Sequence, residues 1–172
     1  NPYNDFMEKN SNAITLIGMP GCGKSTIGKM LAEKLGWDFV DLDSLIKETT
    51  GKNHAEVLAE SGDQEFIKLE GELALGINFN KLIFAPGGSI IYSPEAMDKL
   101  KKETGIFYLY LPIEEIKSRL RDSLWSRGVV GLKNKGPENL FEERDILYRK
   151  YAEKIIDCGG LSKKEILKII TG

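Results

Sequence analysis

The spacing of apolar side chains switches repeatedly between two periods along this chain. Four of the six residues from Ala13 to Gly18 are apolar, Ile14, Leu16 and Ile17 among them, which predicts a buried strand. Beyond a glycine-rich turn, Ile27, Met30, Leu31 and Leu35 recur at helical spacing, and Gly36 supplies the stop. Trp37 to Asp43 reads as a second short strand ending in acids. Ser44 to Thr50 forms a helical turn or two closed by Gly51, and His54 to Ser61 a short helix closed by Gly62. Phe66, Leu69, Leu73 and Leu75 give a longer helix from Asp63, with Asp63 as its cap. Lys81 to Ala85 is a third strand, followed at once by Pro86, Gly87, Gly88 and Ser89. Ser93-Pro94-Glu95 opens a helix to about Glu103 with a capping hydroxyl, a proline at the first helical position and an early acid. Ile106 to Leu111 is a continuous apolar run, hence a central strand, and Pro112 ends it before a helix from Ile113 to Asp122. Periodicity is weak from Ser123 to Gly136, which reads as a loop, and returns in a helix from Pro137 to Tyr151. Lys154 to Cys158 is a fifth strand, and Ser162 with Glu165 forms a capping box for a helix from Lys163 to Ile170.

Strands alternating with helices imply an α/β fold: a parallel sheet covered on both faces, with right-handed crossovers. Ligands of such sheets bind at the carboxyl ends of the strands. Three candidate groups fall there: the glycine-rich turn after strand 1, Asp41 and Asp43 after strand 2, and Gly87-Gly88 after strand 3.

Length and charge narrow the picture. The 172 residues suffice for one domain, read as residues 13–172 after a polar lead-in of residues 1–12. A net charge of −2 argues against a broad nucleic-acid-binding face, and no apolar run approaches a membrane span. Two cysteines, Cys22 and Cys158, give no disulfide framework, so a cytoplasmic setting is expected.

The chemistry concentrates at the first turn. Gly18, Gly21, Gly23, Lys24 and Ser25 fit G-x-x-x-x-G-K-[ST], and Thr26 continues the helix start. Glycines let backbone N–H groups approach a phosphate, and the positive end of the following helix completes the anion cradle. Lys24 would reach the β- and γ-phosphates of ATP, and the Ser25 hydroxyl would ligate Mg²⁺. In an extended chain the i, i+2 spacing of Asp41 and Asp43 puts both carboxylates on one face. One would support the Mg²⁺ shell through water, and the other would orient or deprotonate an acceptor hydroxyl. Gly87 and Gly88 would bring N–H groups to the acceptor. Arg127, in the loop, could close onto the transferring phosphate. Arg144 reads from its acidic neighbours as a helix ion pair. His54, the sole histidine, reads as a surface helix residue, Cys22 as a tolerated loop position open to alkylation if exposed, and Cys158 as a buried hydrophobe. Trp37 and Trp125 read as packing residues.

Together these residues resemble the shikimate kinases, small kinases that move the γ-phosphate of ATP to a ring hydroxyl. The likeness runs from Ala13 to Ile170. It rests on GMPGCGKST at 18–26, DLD at 41–43, GDQEF at 62–66, PGGS at 86–89, the loop around Arg127 and ERDILY at 143–148. It implies a single domain with a five-stranded parallel sheet in the order 2-3-1-4-5 and a lid at about 123–136. It assigns Gly21, Cys22, Gly23, Lys24, Ser25, Thr26 and one of Arg119 and Arg121 to the nucleotide, and Ser25 and Asp41 to the metal. Lys24, Asp43 and Arg127 fall to catalysis, and Asp43, Gly87, Gly88 and Arg144 to the acceptor.

Three departures bear on the acceptor and leave phosphoryl transfer untouched. Ile67 stands where the family has a second arginine clamp for the acceptor carboxylate, and Lys68 points about 100° away. Loss of one charged hydrogen bond costs about 1.5–3 kcal/mol, roughly ten- to a hundredfold in affinity. Pro86 replaces a glycine and removes a backbone donor. Gly128 and Ile146 replace prolines after the lid arginine and before Leu147-Tyr148. The expected activity is ATP- and Mg²⁺-dependent phosphorylation of a small hydroxy acid by a monomer, shikimate first, with homoserine or a sugar acid as alternatives. A nucleotide-binding switch or silent module is the alternative of another class, although no guanine-reading Asn-Lys-x-Asp is present.

Overall fold

Five strands, β1 (Ala13–Ile17), β2 (Asp38–Asp41), β3 (Leu82–Ala85), β4 (Gly105–Tyr110) and β5 (Lys154–Asp157), form one parallel sheet in the order β2-β3-β1-β4-β5. The computed structural model describes residues 12–120 and 128–172. The lead-in apart from residue 12, Arg121, Trp125, Arg127 and the first part of the expected lid lie outside the described residues.

The centre of the sheet is apolar because it is covered on both sides: Ile14, Leu16, Ile83, Phe84, Phe107 and Leu109 are fully buried. β1 is the middle strand, with Ile14 opposite both Ile83 of β3 and Gly105 of β4. Its one polar side chain is satisfied. Thr15 Oγ1 lies 2.8 Å from Thr104 Oγ1, which itself donates to the Leu100 carbonyl.

Seven α-helices are described: α1 (Lys24–Leu35), α2 (Leu42–Thr50), α3 (His54–Leu75), α4 (Pro94–Glu103), α5 (Ile113–Arg119), α6 (Leu132–Tyr151) and α7 (Lys163–Thr171). α1 packs against α7 and over β2 and β3, α3 packs against α4, and α6 lies against β4. Gly28 lets α1 approach closely, since a Cβ there would press on the Phe39 ring.

Several boundaries move, each for a local reason. β2 stops at Asp41, whose side chain accepts from the N–H groups of Asp43 and Ser44. That N-cap turns the chain helical two residues earlier than the apolar pattern predicts, so Asp43 belongs to a helix and not to an extended face shared with Asp41. α3 is two helical segments joined at Gly62 (φ 78°, ψ 172°), as the sequence predicts, but Asp63 does not cap the second; its carboxylate accepts from the Gly131 N–H at 3.0 Å. An Asn53–Glu56 capping box opens the first segment. Ser93 occupies the N-cap of α4 without a side-chain capping bond, whereas the Ser162–Glu165 box of α7 forms as expected. Residues 132–135, expected within the lid, are helical. α6 starts after a left-handed Gly131 and kinks at Gly136 (φ 73°, ψ 165°), next to the proline that cannot donate to the preceding turn.

Candidate active site

The carboxyl ends of β1, β2 and β3 open into a cleft of about 800 Å³. At one end the phosphate loop runs from β1 into α1. Gly21 and Gly23 have φ of 80° and 99°, angles that side chains rarely tolerate. A Cβ on Gly18 would sit 2.8 Å from both Cys22 Sγ and the Leu109 carbonyl oxygen. Lys24 Nζ arches over the loop and donates to the carbonyls of Gly18 and Met19 at 2.8 and 2.9 Å. Gly23 caps α1 with no side chain, which leaves first-turn N–H groups to face the cleft. Cys22 is buried beneath the loop, so the alkylation-sensitive exposure considered from the sequence does not occur.

Ser25 and Asp41 come together. The Ser25 hydroxyl donates to Asp41 Oδ2, while Asp41 Oδ1 holds the start of α2. These are hard oxygen donors beside an anion cradle, the chemistry Mg²⁺ takes from protein when phosphates supply its other ligands. Arg119 Nη1 reaches the Gly21 carbonyl at 3.4 Å and Nη2 reaches Glu115, which places this guanidinium at the rim of the loop. Across the rim, Leu161, Ser162 and Lys163 at the start of α7 also line the cleft.

The other end holds buried charge. Arg144 is 1% exposed; Nη2 donates to the Val130 carbonyl at 2.8 Å and the guanidinium lies over the Tyr92 ring. It is therefore not the helix ion pair that its acidic neighbours suggest, because those acids take other hydrogen-bond partners: Glu143 accepts from Lys135 and Tyr92, and Asp145 from Arg149 and Tyr108. Tyr148 donates to the Gly88 carbonyl at 2.6 Å, and a Cβ on Gly88 would lie 2.8 Å from Arg144 Nη1. Glu70 of α3 is fully buried. Oε1 accepts from the Ser89 hydroxyl, and Oε2 lies against Gly87. Burial dominates its titration and pushes the carboxyl up to about 7, against the opposing pull of Ser89, His54 and Arg144.

His54 is not a surface helix residue. Nδ1 lies 3.0 Å from Asp43 Oδ1, the ring stacks on Phe66 at 4.5 Å, and the side chain lines the cleft. Burial works to lower its pKa, but the hydrogen bond and charge of Asp43, with Glu70 and the Gly128 carbonyl, outweigh burial and raise it. Asp41 and Asp43 thus serve different neighbours, one the phosphate loop and the other an imidazole.

Of the departures, Pro86 and Gly128 line the cleft, whereas Ile67 packs half-buried against the core. Gly128 has φ 80°, which a proline cannot adopt. Sequence reasoning missed Glu70 and the role of His54. Glu70 left one signal: it interrupts the apolar stripe of α3 between Phe66 and Ala74 at i, i+4 spacing.

The shikimate kinase family matches residues 20–171. A shikimate kinase of Thermodesulfovibrio yellowstonii is 36% identical over 162 residues, covering 91% of this chain and 91% of that protein. The structure of a shikimate kinase from Acinetobacter baumannii in complex with shikimate covers 95% of this chain and 93% of its own, with a TM-score of 0.85 at 28% identity. A shikimate kinase from Aquifex aeolicus gives a TM-score of 0.79 at 28% identity, covering 92% and 93%.

Proposed function

The chain belongs to the shikimate kinase family, and from that premise we propose that its acceptor is shikimate, phosphorylated on the 3-hydroxyl. It is an ATP-dependent phosphotransferase that acts on a hydroxyl group. The observation that carries the acceptor reading is Arg144. A guanidinium removed from water in the cleft wall beside Gly88, with Nε unpartnered, suits a bidentate carboxylate.

In this reading Lys24 exchanges its loop carbonyls for the β- and γ-phosphates, and Arg119 lies beside the nucleotide at the rim. Ser25 would hold Mg²⁺ and Asp41 would support it through water; the ion supplies neutralisation of phosphate charge. Asp43 takes the proton of the attacking hydroxyl as the new O–P bond forms and ADP leaves in line. Gly87 and Gly88 bring the backbone to the acceptor. Arg127, carried over from the resemblance, would meet the transferring phosphate. We also propose a monomeric cytoplasmic enzyme. Two buried free thiols suit a reducing compartment, and a single species of about 19 kDa in size-exclusion chromatography would support the monomer.

ADP release with ATP and Mg²⁺ tests the assignment. Strong stimulation by shikimate, lost on chelation of the metal, is the expected outcome. Stimulation by another hydroxy acid and none by shikimate would overturn the acceptor assignment.

A further inference from the structure

Among the described residues, three buried side-chain polar atoms have no hydrogen-bond partner: His54 Nε2, Glu70 Oε2 and Arg144 Nε. Orphans of this kind are rare, because an unmet buried donor or acceptor is costly. His54 and Arg144 line one cleft, and Glu70 lies directly behind its wall at Gly87. Glu70 Oε2 lies against Gly87, and Arg144 Nη1 faces the next residue, Gly88. Glu70 interacts electrostatically with both His54 and Arg144. His54 stacks on Phe66, one helical turn before Glu70 on α3.

We infer that His54 and Glu70 supply the second clamp on the acceptor carboxylate: His54 Nε2–H and a protonated Glu70 Oε2–H donate to it alongside Arg144. The inference rests on the acceptor reading above and deepens it. The hydrogen bonds already made decide which atoms are free to act. Ser89 donates to Oε1, so a proton on this carboxyl belongs on Oε2, the orphan. Asp43 engages Nδ1, so an imidazolium presents Nε2–H. Arg144 Nε is a donor by nature. Three donors, none of them held in a hydrogen bond of its own, form an anion site. Ile67 cannot contribute, and the pair takes over the role at that position with groups that titrate.

The groups facing His54 are Asp43, Glu70 and the Gly128 carbonyl; those facing Glu70 are Ser89, His54, Asp43 and Arg144; those around Arg144 are Tyr92, Tyr148, Glu70, Glu143 and Lys135. Glu70 titrates at about 7 in the unliganded protein. A bound carboxylate favours the protonated forms of both Glu70 and His54. Acceptor binding therefore takes up protons, and affinity falls as pH rises.

The test compares the apparent KM for shikimate and for ATP from about pH 6 to about pH 8.5 in wild type, Glu70→Gln and His54→Leu, with proton uptake measured by titration calorimetry in buffers of differing ionisation enthalpy. In wild type the shikimate KM should rise at least tenfold over this range while the ATP KM holds, and binding near neutrality should take up protons. Glutamine keeps a donor where Oε2 stood and an acceptor for Ser89, but cannot ionise. Glu70→Gln should flatten most of the rise and reduce the uptake. His54→Leu should raise the shikimate KM about tenfold at low pH and leave the ATP KM in place. A flat wild-type profile, an unchanged limb in Glu70→Gln, or an unchanged KM in His54→Leu overturns the inference while leaving shikimate kinase activity intact. If shikimate is not turned over, the acceptor reading fails by itself, and the same comparison on the hydroxy acid that is turned over decides the clamp. Turnover of none overturns both.

Discussion

Replacing Glu70 by glutamine should change how stability responds to pH, with no ligand involved. The carboxyl titrates near 4.5 when exposed and at about 7 in the fold, chiefly through burial. Its folded value is raised, so its favourable contribution is complete below about 4.5 and is lost as pH rises through about 7. Over this interval the unfolded chain gives up its proton first, and each pH unit of separation is worth about 1.4 kcal/mol. The limiting loss is about 3 kcal/mol, most of it between pH 5 and pH 8. Glutamine retains the bond from Ser89 and carries no charge, so the variant escapes this loss. Urea unfolding of both proteins across that range should show the stability difference shifting toward the variant by about 2–3 kcal/mol. At a slope of 2–3 kcal/mol per molar, this is about 1 M in the relative midpoint. A difference constant to within about 0.5 kcal/mol would refute a carboxyl held neutral by burial.

Three further outcomes follow from the site. Lys24→Ala should lower kcat at least a hundredfold, since the phosphates lose their nearest cation, while thermal stability changes little; normal turnover in a steady-state assay would sink the assignment. Gly88→Ala places a Cβ 2.8 Å from Arg144 Nη1 and 3.1 Å from Tyr148 Oη, so the shikimate KM should rise about tenfold with the ATP KM unchanged; equal effects on both would show a general distortion instead. Ile67→Arg puts a guanidinium one helical turn from the orphan Glu70 Oε2, and should tighten shikimate most at about pH 8.5, where Glu70 has lost its proton with or without the new cation; an unchanged or looser KM at that pH counts against an arginine clamp at this position.

What the sequence revealed and what it concealed divide along physical lines. The phosphate loop is local. Its glycines, lysine and serine lie within one turn, and the apolar strand before it and the amphipathic helix after it confirm the context without any knowledge of the rest of the chain. The sheet order is not local and entered through the family resemblance. The structure bears it out, with helix ends shifted wherever a side chain captured a nearby N–H, as Asp41 does. The acceptor end depends on tertiary contact. Nothing in the sequence around His54 announces that Asp43 lies 3.0 Å away, and nothing around Arg144 shows that its acidic neighbours take other partners. The alternatives drawn from the sequence, a switch or a silent module, find no support among the relatives.

The place of β1 between β3 and β4 has a consequence for how the protein comes into being. The loop that would hold phosphate is encoded within the first thirty or so residues, yet the strand that feeds it has no partner until residue 82 exists on one side and residue 105 on the other. The Leu109 carbonyl closes against Gly18 itself. A chain emerging from the ribosome therefore carries the phosphate-loop motif long before it can present the loop. Presentation of the loop waits on β3 and β4, which follow it far along the chain.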